Sequence, residues 1–288
     1  MVCRIVSRVE GSGEHKRRLH TNMDVISLSV FDLSVAASLL ILLSVASLLM
    51  NLGLEKRMLL GGIRMILQLL LIGQVLRFLF ANTNPLLIAC MSLVMLSVAA
   101  REVSVRQKRQ LRGFSGYWIG TVSMFVSSFS ITFLALTVMI QVHPWYTPQY
   151  AIPLLGMVLG NTMTGVALAS DRLTTQLYEQ RGMVEQRLLL GQTWREASSD
   201  IRKDCMRTGM VPIINSMAAA GIVSLPGMMT GQILGGTPPV EAVKYQILIM
   251  FLIAAGTGFG VICSIWMTSR HLFDSRHRLC LDQLILRR

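Results

Sequence analysis

Residues 245–269 read YQILIMFLIAAGTGFGVICSIWMTS, a run without a single charged side chain. A helix rises about 1.5 Å per residue, so about 20 apolar residues cross the roughly 30 Å core of a bilayer. This stretch is long enough. Its apolar residues are continuous instead of alternating, which argues against a barrel strand. Working outward, comparable runs occupy 28–50, 59–80, 85–100, 117–141, 150–170 and 211–235. The expected fold is therefore all-α: a polytopic helical membrane protein with about seven transmembrane helices.

Composition agrees. The 288 residues are 52% apolar and 15% charged, with a mean hydropathy of +0.56. A soluble domain carries about 25% charged residues. The net charge of +12 raises the question of a nucleic-acid partner. The basic residues, however, sit in the short links between apolar runs, where positive charge reports topology. The lipid bilayer, not nucleic acid, is the expected surrounding. Cys3, Cys90, Cys205, Cys263 and Cys280 lack paired spacing and read as isolated thiols.

Seven spans place the two ends on opposite sides. With the N-terminus outside and the C-terminus cytoplasmic, the inner segments hold 19 Lys and Arg, whereas the outer links at 81–84, 142–149 and 236–244 hold only Lys244. The excess of positive charge on the cytoplasmic side favours that orientation. The first residues disagree, because Arg4, Arg8, Lys16, Arg17 and Arg18 would lie outside. Residues 1–23 are read as a polar basic tail, either a disordered appendage or a mis-assigned start with translation beginning at Met23. Residues 24–288 form the transmembrane domain.

The apolar runs from 59 onward contain no Asp or Glu, and only Asp32 lies inside the first. A carrier driven by protons or ions usually holds such an acid, so another energy source is expected. Polar residues within the runs are few. Arg64 and Gln68 share one helical face in 59–80, although Arg64 is near an end and can snorkel. In 150–170, Gly156, Gly160 and Thr164 form a small-residue face whose simpler reading is packing, and Asn161 is costly to bury.

The run 211–235 begins Val211-Pro212, holds Asn215 and Ser216, and continues Ser224-Leu225-Pro226-Gly227-Met228-Met229. A mid-span proline bends a helix, and broken backbone is tolerated where protein or a watery cavity satisfies it. The candidate translocation pathway is Arg64, Gln68, Asn161, Asn215, Ser216, Ser224, Pro226, Gly227, Met228 and Met229. Met217, Met228 and Met229 are weak candidates for soft metal ligands, against the plainer reading of Met as flexible packing.

Residues 171–210 form a long polar loop expected in the cytoplasm. Leu190, Trp194, Ala197, Ile201 and Cys205 recur at helical spacing as one apolar stripe. Thr193 and Glu196 form a T-x-x-E capping box that starts a helix, and Gly191 suits the end of the helix before it. The loop reads as helix, glycine turn, helix, either lying on the membrane interface or presenting its corner to a partner.

The block Leu190-Gly191-Gln192-Thr193, Pro212, the run Gly221 to Gly231 and Pro239 to Gln246 together resemble the FetB/YbbM family of ABC-type permeases. That family is described as iron exporters in bacteria, with plant relatives linked to aluminium tolerance. Ile152 to Met157, Gly160-Asn161, Arg64 with Gln68, and Ser275-Arg276-His277 match as well, so the resemblance covers about residues 24–288.

It implies an ABC transporter permease of the bacterial cytoplasmic (inner) membrane: a non-enzymatic subunit paired with a separate ATPase and involved in metal export. Seven spans are few for a complete pathway, so a homodimer is expected. The chain has no G-x-x-x-x-G-K-[ST] loop. ATP is then used by the partner, and this chain binds no cofactor. Residues 171–210 become the coupling loop, with Leu190, Gly191, Gln192, Thr193, Trp194 and Glu196 at the ATPase. The alternatives are a permease for an organic solute or nucleotide sugar, and a secondary carrier or channel independent of ions. A membrane enzyme would need a motif such as H-E-x-x-H or G-x-S-x-G, and neither occurs.

Overall fold

The computed structural model describes residues 29–81, 84–274 and 276–286, so the basic tail 1–23 and Ser275 lie outside the described residues. Among the described residues, six helices are long and apolar enough to cross a membrane: α1 (Val30–Leu49), α2 (Glu55–Ala81), α3 (Pro85–Arg106), α4 (Ser115–Met139), α5 (Pro148–Glu179) and α10 (Pro239–Leu272). Between them lie the shorter α6 (Arg181–Leu189), α7 (Trp194–Ala197), α8 (Ser199–Ala219) and α9 (Gly227–Leu234).

The expected span 211–235 is not one helix. Pro212 sits inside α8, which runs on from the polar loop, and the chain breaks after Ala219. Gly221 takes the left-handed conformation (φ +85°), and its N–H donates to the Ser224 carbonyl at 2.9 Å. Pro226, in extended conformation, is the cap from which α9 starts. The break thus falls at Gly221, with its free φ, and Pro226 restarts a helix instead of kinking one.

The chain divides into two compact units. The first contains residues up to Leu71 together with Leu225–Gln246. Its helix α1 is started by Ser29, whose N–H and hydroxyl both donate to Asp32 at 2.8 Å. The acid inside the first apolar run is therefore a helix cap. Helices α1 and α2 approach closely at Gly62, where a Cβ would lie 2.6 Å from Leu40 Cδ2.

The second unit contains Ile72–Ser224 and Ile247–Arg288, and α5 is its centre. One side of α5 meets α10 through glycines: a Cβ at Gly256 would lie 2.6 Å from Val158, and one at Gly260 would lie 2.5 Å from Thr162. Further along, Ser170 Oγ and Ser264 Oγ share a hydrogen bond of 3.0 Å. Another side meets α8 at Gly165 and Gly209. The face expected from the sequence behaves differently, since nothing approaches Gly160 within 4 Å and Gly156 meets only Met95, at 3.2 Å. One residue turns a helix by about 100°, so Gly165 lies off the stripe of Gly156, Gly160 and Thr164.

Helix α4 carries two π-helical segments, Phe125–Phe129 and Ala135–Met139. Outside the spans, β1 (Arg109–Leu111) pairs antiparallel with β2 (Leu284–Leu286). Arg109 of β1 lies 3.5 Å over the Tyr178 ring, tying this small sheet to the far end of α5.

Candidate functional site

The 171–210 segment is built on α5, which continues past the apolar run to Glu179. Helix α6 ends in a Schellman motif: the Gln192 N–H donates to the Arg187 carbonyl at 3.2 Å and the Gly191 N–H to the Leu188 carbonyl at 3.0 Å. Gly191 has φ +89°, a conformation that costs a side-chain-bearing residue energy. The chain then turns through Gln192 into Thr193. The Glu196 carboxylate accepts from the Thr193 N–H at 2.8 Å and from its hydroxyl at 2.9 Å. Those bonds, the backbone one foremost, hold the Glu196 carboxyl below its usual range.

This capped helix is shorter than the stripe implied. Helix α7 ends at Ala197, and buried Ser198, whose hydroxyl donates to the Trp194 carbonyl at 2.6 Å, separates it from α8. The stripe is nevertheless buried at Trp194, Ala197, Ile201 and Cys205. Leu190 is the exception. The glycine turn carries it outward, and Leu189 and Leu190 stand 87% and 83% exposed. Of the six expected coupling residues, Leu190, Gly191, Gln192, Thr193 and Glu196 lie on the surface, whereas Trp194 is their anchor. Its ring stacks on Phe273 at 5.8 Å, and Arg187 clamps the two arms by reaching Asp200 at 2.9 Å. The result is an apolar corner on a braced support.

The expected pathway residues are divided between the two units. Arg64, Gln68, Pro226, Gly227, Met228 and Met229 belong to the first; Asn161, Asn215, Ser216 and Ser224 belong to the second. Arg64 and Gln68 are exposed on α2. Asn161 is exposed on α5 and donates to the Met157 carbonyl at 2.8 Å, so its amide is partly satisfied within its own helix. Asn215 and Ser216 are exposed near the end of α8. Of the methionines proposed as metal ligands, Met217 lies in the second unit, and Met228 and Met229 in the first. Among the described residues no group of three or more His, Cys, Asp and Glu side chains is gathered.

One polar feature was not singled out from the sequence. Ser128 and Thr132 of α4, Thr162 of α5 and Thr257 of α10 are buried in the second unit, and their hydroxyl oxygens have no hydrogen-bond partner. A buried polar group left unpaired costs about 1–3 kcal/mol. The hydroxyl-rich stretch 120–132, GTVSMFVSSFSIT, is the signal that could have pointed to it.

Several known proteins are similar to this chain. A UPF0014 membrane protein of Synechocystis is 36% identical over 80% of this chain and 88% of its own. The probable iron export permease protein FetB of Escherichia coli is 31% identical, with 88% and 95% covered. ALUMINUM SENSITIVE 3 of Arabidopsis thaliana is 34% identical, with 85% and 88% covered. No solved structure matches. Six apolar helices among the described residues, with relatives named as membrane proteins or a permease, make this chain a multi-pass membrane protein. The model of the uncharacterised protein family UPF0014 matches residues 30–273, and the chain belongs to that family.

Proposed function

We propose that this chain is the membrane-spanning permease subunit of an ATP-driven exporter, energised by a separate ATPase that docks at the Leu189–Thr193 corner. The observation that carries the reading is the corner itself: two exposed leucines on a turn braced by the Gly191 motif, the Thr193–Glu196 cap and the Trp194 anchor. An exposed apolar pair on a rigid base suits a protein partner, and the likeness over nearly the whole length of a probable iron export permease points to transport. Two copies of the chain with two ATPase subunits would complete the assembly, nucleotide-driven closure of the ATPases favouring one state of the permease over the other. Iron or another metal is the leading cargo. An organic solute or metal complex fits the scarcity of hard ligands in the apolar runs.

The test is reconstitution in liposomes with the cognate ATPase. ATP-dependent iron efflux, together with ATPase activity that rises on complex formation and falls in Leu190→Glu, supports the assignment. Iron movement by this chain alone, without ATP, overturns it. Unchanged cellular iron on deletion of the gene under iron stress would remove the cargo and leave the permease.

A further inference from the structure

A groove of about 510 Å³ opens on the second unit between α4 and α10, with Arg202 and Met206 of α8 completing its wall. Its apolar surface includes Val126 and Ile131 of α4 and the stripe Phe259, Ile262 and Trp266 of α10. That stripe is 60%, 47% and 44% exposed on a helix long and apolar enough to cross a membrane. Acyl chains are the medium that such a face meets.

Arg202 departs from this apolar character. Its Nε is buried without a hydrogen-bond partner. The acids nearest in sequence are engaged elsewhere, Asp200 by Arg187 at 2.9 Å and Asp204 by Arg172 at 3.7 Å. The Arg202 guanidinium instead lies 5.4 Å over the Trp194 ring, with Arg195 5.5 Å from the same ring. Arg270 stands 6.0 Å over the ring of Trp266, a residue of the groove wall. Arg202 is thus the charged residue among those that line an otherwise apolar channel, with Trp266 beside it on the wall. Trp favours the interface between headgroups and chains, and basic pockets beside membrane helices take anionic headgroups.

We infer that this groove is a binding site for an anionic phospholipid, its phosphate held by Arg202 and one acyl chain laid along Phe259, Ile262 and Trp266. Neither a free phosphate nor a zwitterionic lipid satisfies both halves, because the first leaves the apolar wall bare and the second brings its own cation to Arg202. A second groove, of about 610 Å³, is lined by Phe129, Phe133 and Trp145 and by no charged residue, so it takes chains without regard to headgroup.

The experiment uses the full chain, delipidated in detergent and titrated with phosphatidylglycerol or phosphatidylcholine of identical acyl chains, with bound lipid read by native mass spectrometry. One arginine near a membrane surface is worth about a fivefold change in anionic-lipid affinity. Wild type should prefer phosphatidylglycerol by at least about that factor. Arg202→Gln should lose about fivefold of the preference, while Arg202→Lys and the control Arg106→Gln, on α3 and outside the groove lining, keep it. Ile262→Glu, on the apolar wall, supplies a second variant, and it should weaken phosphatidylglycerol more than phosphatidylcholine. Millimolar glycerol phosphate should not displace the lipid. Equal binding of the two lipids by wild type overturns the site, as does an undiminished preference in monodisperse Arg202→Gln, an equal loss in Arg106→Gln, or displacement by glycerol phosphate.

Discussion

Gly165 and Gly209 face each other so closely that a Cβ on Gly165 would lie 2.9 Å from the Gly209 carbonyl oxygen, and one on Gly209 would lie 2.8 Å from that of Gly165. Helix α5 can cross α8 at this distance only with hydrogen at both positions. The crossing joins the helix that enters the polar loop to the one that leaves it.

Gly209→Ala is therefore expected to destabilise the protein by about 1–3 kcal/mol, since the obstacles include backbone that must move. Gly160→Ala, inside α5 with open space at its Cβ, should cost nothing and can stabilise by about 0.5–1 kcal/mol. Unfolding in detergent followed by helical circular dichroism checks both. Equal losses would contradict this packing.

Trp194→Ala removes a ring that is 9% exposed and stacked on Phe273. Replacing a buried Trp by Ala costs about 3–5 kcal/mol. The change should also loosen the adjoining C-terminal segment, seen as faster tryptic cleavage after Arg276 and Arg278. Leu190→Ala, at an exposed position, should leave stability and cleavage unchanged while weakening partner-stimulated ATPase activity.

Glu196 links protonation to the corner. Its pKa in the folded protein is lowered, chiefly by the Thr193 N–H and then by the Thr193 hydroxyl. Its support is therefore fully present above the ordinary carboxylate value and is lost as pH falls through the lowered one. Amide exchange at Thr193–Ala197, compared between neutral pH and the acid range below that value after correction for intrinsic rates, should show loss of protection only in acid. Glu196→Gln should lack the pH response.

Cys205 is buried, donates to Gln176 Oε1 at 3.3 Å, and its thiol is pushed up to about 12 by burial and by Asp204. It should resist a polar maleimide at pH 8 in folded protein and react once SDS unfolds the chain. Its contribution to stability is complete below the ordinary value of 9.0 and is lost as pH rises toward about 12. Quantitative labelling of Cys205 in the native state would contradict its burial.

Local signals proved sufficient in the polar loop. The Thr193–Glu196 box and the Gly191 terminator act over at most five residues, so their hydrogen bonds were legible from spacing alone. The stripe also placed Trp194, Ala197, Ile201 and Cys205 inside, because helical periodicity is a local property. The stripe's spacing also took in Leu190, which lies beyond a glycine turn where that periodicity ends and stands exposed at the corner.

The sequence by itself determined the helical membrane class, the position of six apolar helices and the cap that shapes the corner. Long apolar runs and short-range hydrogen bonds need no distant partner to be read. Tertiary structure alone decided that Gly165 and Gly209, not Gly156 and Gly160, carry the close crossing. It also placed the helix break at Gly221 and brought Arg202 to the wall of an apolar groove between α4 and α10. Each of these depends on which face of one helix meets another, and that contact is set by residues distant along the chain.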